Sequence, residues 1–228
     1  MNKKIIFTNT NEFDLYPPQP AIKNVPNWYI DSNEYSTEFG RKKFDSDHPH
    51  TIKKCVPVFD MMTMGYILYT QAEVQVFQED GLPYYSWPKE KTIEFHPLSQ
   101  AELHPKQNGA PYPKWTNPYS IITPPGYSVL IIPPTHRESV FTIFPGVVDT
   151  DKYSSQINFP FVLNNVKWEG IIDAGTPMAQ VIPFKRDSWK SFMGSEKENS
   201  EVRMSNSKLG SLIFNSYKKQ FWSRKEYK

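Results

Sequence analysis

Apolar and polar positions trade places over short stretches along most of this chain. Ala72, Val74 and Val76 are separated by Glu73 and Gln75, which is the period of a half-buried strand. Further strands are expected over residues 51–58, 65–70, 119–123, 127–132, 140–144, 156–163 and 178–184. Pro124-Pro125-Gly126 between two of them reads as a turn. Short strands with such punctuation predict a β-sandwich or barrel-like domain. Near the end the period changes. Leu209, Ile213, Tyr217 and Phe221 recur every fourth residue, with Leu212 beside them, and predict an amphipathic helix. Ser205 or Asn206 would cap it, and Lys218, Lys219, Arg224 and Lys225 suit its negative end.

This divides the chain into three parts. Residues 1–50 read as an extended arm: Tyr16-Pro17-Pro18-Gln19-Pro20 is polyproline-like, and Pro26-Asn27-Trp28-Tyr29 adds an aromatic pair. A short helix or turn is expected over 31–41. The arm cannot build a core alone, so it is expected to lie on the main domain or on a neighbouring subunit. Residues 51–185 form the β domain. Residues 186–228 form a polar linker and the helix.

Composition narrows the picture. In 228 residues, prolines number 21 against 10 glycines, which argues for short strands and rigid connections over long helices. Aromatic residues make up 15%, so large rings carry the apolar surface. Trp28, Tyr29, Tyr84, Tyr85, Trp87, Trp115 and Tyr119 lie in proline-rich stretches and are expected to anchor a subunit interface. A net charge of +2 gives no electrostatic signal for nucleic acid. The single cysteine, Cys55, excludes an internal disulfide and reads as a small core residue. The chain has no apolar run long enough to span a membrane, and Ile5-Ile6-Phe7 is too short for a signal-peptide core. An unsecreted protein is expected, in the cytoplasm where it is made. His48, His50, His96 and His104 have no carboxylate or cysteine at ligand spacing, so no metal site is expected. Asp60 reads as a loop cap, and the methionines after it as core filler.

The sharpest local signal is Pro145-Gly146-Val147-Val148-Asp149-Thr150-Asp151-Lys152-Tyr153. An aspartate and a tyrosine at a hairpin tip can receive a nucleoside, the ring against the sugar and the carboxylate polarising a water. They also suit a plain turn, since aspartate is a common turn residue. The stretch resembles the third motif of the dUTPase family. Ile171-Ile172-Asp173-Ala174-Gly175-Thr176-Pro177-Met178-Ala179-Gln180-Val181 looks like its fourth motif, Pro124-Pro125-Gly126-Tyr127 resembles the turn before the second, and Gly65-Tyr66-Ile67-Leu68 stands where the first would be. Order and spacing agree over about residues 53–184. The resemblance implies a mainly β fold, a dUTPase-like β-clip or jelly-roll-type barrel, assembled as a homotrimer. It makes Asp149 the candidate general base, with Tyr153, Arg137 and Gln180 as ligand-binding candidates.

Departures from the pattern weigh against catalysis. Ile67 stands where the first motif carries an aspartate. The Arg-Ser pair of the second motif is split, as Arg137-Glu138-Ser139. The glycine-rich fifth motif is missing. A triphosphate needs amides and cations to hold it. The whole chain also resembles an uncharacterised family of tailed-bacteriophage proteins, through Val25-Pro26-Asn27-Trp28-Tyr29, Lys53-Lys54-Cys55-Val56-Pro57 and Tyr217-Lys218-Lys219-Gln220-Phe221-Trp222. The expectation is a non-catalytic, self-associating phage protein with a structural or ligand-binding role, in the host cytoplasm or the virion, with other phage structural proteins as further partners and no cofactor. The alternative is a divergent nucleotide pyrophosphatase or nucleotide-binding protein using Asp149 and Tyr153, and magnesium enters only there.

Overall fold

The computed structural model describes residues 3–9, 16–35, 50–88, 91–100, 104–105, 111–211, 217–218 and 221–228, without the side chains of 208–211. The β-strands in chain order are β1 (Ile6–Asn9), β2 (Gln19–Pro20), β3 (Tyr66–Tyr69), β4 (Val74–Glu79), β5 (Leu82–Ser86), β6 (Ile93–His96), β7 (Tyr112–Trp115), β8 (Tyr119–Ile122), β9 (Tyr127–Ile132), β10 (Phe141–Ile143), β11 (Gly146–Val148), β12 (Phe159–Leu163), β13 (Gly170–Ile172) and β14 (Pro177–Lys185). The helices are α1 (Asn27–Asp31), α2 (Val56–Thr63) and α3 (Glu196–Ser211). The protein is therefore mainly β, with antiparallel sheets and a helix near its C-terminal end. Among the described residues no helix is long and apolar enough to cross a membrane.

The chain forms two compact units. The first combines residues 1–26, 62–186 and 227–228. Its largest sheet has the order β11-β9-β14-β3-β2, and the others run β10-β12-β7-β6, β13-β4-β5 and β1-β8. The proline-rich N-terminal region supplies strands to two of these sheets: β1 pairs with β8, and β2 with β3. In β4 the alternation works as expected, with Val74 and Val76 buried and Gln75 and Phe77 exposed. At the centre of the core Trp115 stacks on Phe161, their rings 4.7 Å apart and inclined by 14°, and Phe141 packs against both.

Several expectations change here. Trp115 and Tyr119 belong to this core, whereas Tyr84 is exposed. Aromatic residues among prolines therefore divide between interior and surface according to their face of a strand. The Pro124-Pro125-Gly126 turn is present, with the Tyr127 N–H donating to the Pro124 carbonyl (3.1 Å). The strands on either side diverge into different sheets instead of pairing.

The second unit combines residues 27–61 and 187–226. The strand expected over 51–58 is instead a 3-10 turn at Ile52–Lys54 followed by α2. Thr51 caps the turn by accepting from the Lys53 N–H, and Pro57 sits in the first turn of α2, where a missing N–H costs no helical bond. Cys55 is exposed, not a core residue. Tyr29, also buried, stacks on Phe59 and donates its hydroxyl to the Lys53 carbonyl (3.0 Å). Asp60 lies on α2, not in a loop. Its carboxylate accepts from Trp222 Nε1 (3.0 Å) and from Lys225 Nζ (2.5 Å). Helix α3 starts ten residues before the expected cap. Ser195 precedes it, and Glu198 accepts from both the Ser195 N–H (2.7 Å) and its hydroxyl (2.8 Å). Of the positions read as an apolar stripe, the Leu209 side chain, Leu212 and Ile213 lie outside the described residues, as does His48.

Candidate functional site

The turn after β11 is built around one guanidinium. β14 ends beside the start of β9, with Lys185 paired to Tyr127. The next residue, Arg186, donates its backbone N–H to the Gly126 carbonyl (2.9 Å). Its Nη1 reaches Asp151 Oδ1 (2.7 Å), Ser128 Oγ (2.9 Å), the Tyr127 carbonyl (3.2 Å) and Asp149 Oδ1 (3.2 Å), while Nη2 donates to Asp151 Oδ2. The Gly126 N–H also donates to Asp151 Oδ2 (2.8 Å), and the Ser128 hydroxyl to Asp149 Oδ1 (2.6 Å). Below them the Thr123 and Thr150 hydroxyls bond to each other (2.7 Å). This planar fork, holding a carboxylate with two parallel bonds, is the geometry that arginine supplies and lysine does not.

Both carboxylates are held ionised. Hydrogen bonding from Arg186, helped by the Gly126 N–H and opposed by desolvation, lowers the Asp151 carboxyl from the usual 3.8 to about 2. For Asp149 the Ser128 hydroxyl is the largest cause of a lowered value, with Arg186 adding to it. The Asp151 side chain is only 6% exposed and that of Asp149 is 51% exposed, so Asp151 is the structural partner. An aspartate whose pKa is depressed on folding stabilises the fold above its unfolded value, and this is lost as pH falls through the folded one. Thermal stability is thus expected to fall between about pH 4 and pH 2. Arg186→Ala should lower the melting temperature at neutral pH and flatten that acid limb. Melts across this range test it; parallel acid limbs for the two proteins would show that the pair does not carry the effect.

The four predicted site residues fall into two groups. Tyr153 shares the Asp149 turn, its N–H donating to the Asp149 carbonyl (2.9 Å) and its hydroxyl to the Gln156 carbonyl (3.3 Å); its ring is exposed. Gln180 lies buried in β14. Its Oε1 accepts from the Thr135 N–H (3.2 Å) and hydroxyl (3.3 Å), and its Nε2 donates to the Met64 carbonyl (2.8 Å), so it fastens the loop before Arg137 to the entry of β3. The Arg137 guanidinium is partly buried. Desolvation lowers its pKa, the nearby Tyr69 hydroxyl opposes this, and among the described residues its Nη2 has no hydrogen-bond partner. Gln180 pairs with Ile132 and Lys185 with Tyr127, so the groups sit five residues apart along the β9–β14 ladder. At the rise of an extended strand that is roughly 17 Å. Ile67, where the resemblance would place a carboxylate, is fully buried beside Ala21 and Tyr69.

Sequence reasoning missed Asp151, Ser128 and Arg186, which organise the turn. The signal was present in Asp149-Thr150-Asp151, two carboxylates two residues apart that require a cation, and in Lys185-Arg186 at the end of a strand. Among the described residues no three histidine, cysteine or acidic side chains come together to hold a metal ion.

The fold and this turn define a mainly β protein with a carboxylate–guanidinium cluster at one end of its largest sheet. No protein-family model matches the chain. No curated protein matches it either. Among solved structures it is similar to a mutant dUTPase from phage phi11 of S. aureus, at 13% identity and a TM-score of 0.32, over 59% of this chain and 84% of that one.

Proposed function

We propose that this protein is a non-catalytic, self-associating β scaffold, in which the Asp149 turn is structural. The supporting observation is the separation of the candidate residues. Asp149, the candidate base, is bound to Arg186 and Ser128, and the Arg137–Gln180 group stands roughly 17 Å along the sheet. A general base works best with a pKa near the operating pH. Asp149 is pushed the other way, by the Ser128 hydroxyl first and then Arg186. A trimeric β-clip of phage origin, resident in the host cytoplasm or the virion and with other phage structural proteins as partners, is the finer form of this reading.

A nucleotide-binding role is the second reading. The observation favouring it is the Nη2 of Arg137, a buried donor with no hydrogen-bond partner among the described residues, which an anionic ligand would satisfy. In that reading Asp149, Tyr153, Arg137 and Gln180 come together only across two copies of the chain. A thermal-shift series against nucleotides with magnesium, beside solution mass, separates the two. The scaffold reading expects an oligomer, no stabilisation by any nucleotide and no pyrophosphate release. Stabilisation of several degrees by one nucleotide, lost in Arg137→Ala, would replace it with the binding reading. Turnover of dUTP abolished by Asp149→Ala would make the protein an enzyme.

A further inference from the structure

After Arg186 the chain leaves the β unit as an extended segment, residues 187–195, that buries none of its side chains. Within five positions it carries Trp189, Phe192 and Met193, which are 88%, 85% and 97% exposed. Isolated exposed apolar residues are ordinary, but three large ones clustered this way are not.

The β unit carries the complementary surface. In the β13-β4-β5 sheet one face is core, through Val74, Val76 and Ile172. The opposite face displays Phe77, Tyr84 and Ile171, all exposed. Phe77 and Tyr84 are directly paired across β4 and β5, and their rings stack at 5.9 Å and 24°. They form a preset flat platform, which is how rigid aromatic anchors build interface hot spots.

We propose that the Trp189–Met193 segment of one copy covers the Phe77–Tyr84–Ile171 sheet face of the next copy. The inference rests on the self-association reading above and names its contact. Area supports a second copy as the occupant. Aromatic residues bury about 150–250 Å² each. Trp189 and Phe192 with Met193 therefore supply a large part of the roughly 800 Å² per partner of a stable interface. The contact joins two different surfaces, so it is heterologous, and copies linked head to tail close into a ring when the rotation permits.

Two surface variants test the proposal. One carries Trp189→Ser with Phe192→Ser, the other Phe77→Asp with Ile171→Asp. The unaltered protein should run as an oligomer in light scattering. Each variant alone should run as a monomer with an unchanged circular dichroism spectrum. A mixture of the two should recover one contact, from the intact arm of one to the intact sheet face of the other, and give a particle of two chains. If the unaltered protein is an oligomer and either variant keeps its mass, the arm contact is wrong while self-association stands. Monomeric variants that stay monomeric when mixed would also overturn it, since the contact would then not be head to tail. A monomeric unaltered protein would remove both readings.

Discussion

Trp115→Ala is expected to lose about 3–5 kcal/mol of stability, the range for removing a large aromatic residue from a packed core. Trp115 is 1% exposed and is sandwiched with Phe141 and Phe161 between β7, β10 and β12. The loss has two sources: the transfer free energy of the ring, and the cavity left among strands that cannot collapse because each is fixed in its ladder. The indole Nε1 adds a discriminating detail. It is buried and has no hydrogen-bond partner among the described residues. Trp115→Phe therefore removes volume but also removes an unsatisfied donor, which itself costs roughly 1–3 kcal/mol to bury. Chemical denaturation should place Trp115→Phe well above Trp115→Ala. If Trp115→Phe loses as much as its smaller ring volume alone demands, the orphan N–H contributes nothing.

Gly65→Ala should be at least as damaging, upwards of about 4 kcal/mol, which places it among the rare severe substitutions. Gly65 turns the chain into β3 with φ +74°, and a Cβ there would stand 2.0 Å from the Val181 carbonyl oxygen and 2.9 Å from its carbon. These are backbone atoms of the central strand and cannot step aside. The neighbouring carbonyls are also committed, since Gly65 accepts from the Ala21 N–H (2.9 Å) and Met64 from Gln180 Nε2 (2.8 Å). Gly81 provides the control. It has φ +78° with nothing near its missing Cβ, so Gly81→Ala should cost only the left-handed conformation, about 1–2 kcal/mol. Comparable losses at the two sites in urea titrations would show that the close approach to β14 is relieved in solution.

The legible parts of this fold are those where one local rule dominates. Val74 and Val76 announced β4 because one face of that strand is core and the other faces water. The apolar run in 127–132 and the Met178–Ile182 segment marked β9 and β14, the middle of the largest sheet. Residues 51–58 misled because a short apolar run does not distinguish strand from buried helix, and the cap at Thr51 with Pro57 in the first turn decides for helix. Ser195-Glu196-Lys197-Glu198 is the pattern of a capping box, and it outranks the Leu209-centred stripe as the start signal of α3. Strands β5 and β7 stayed hidden because Pro83 and Pro113 sit inside them, where proline usually argues against a strand. At the site, motif order picked out Asp149 and Tyr153. It could not show that Arg186, far along the sequence, neutralises that turn, because only the β9–β14 register brings them together.

The order of strands in the largest sheet has a consequence for biosynthesis. β14 lies in the middle of that sheet, between β9 and β3, yet it follows every other strand of the sheet in sequence and so leaves the ribosome after them. Until residue 185 has emerged, β3 and β9 each hold an open edge with no partner between them, and the N-terminal strand β2 has only β3 to lean on. Pairings over such sequence separations are slow, and open edges invite association with other nascent chains. The β unit is therefore completed only once β14 has been synthesised, and a chain interrupted before β14 would be the form most prone to capture by chaperones or to precipitation.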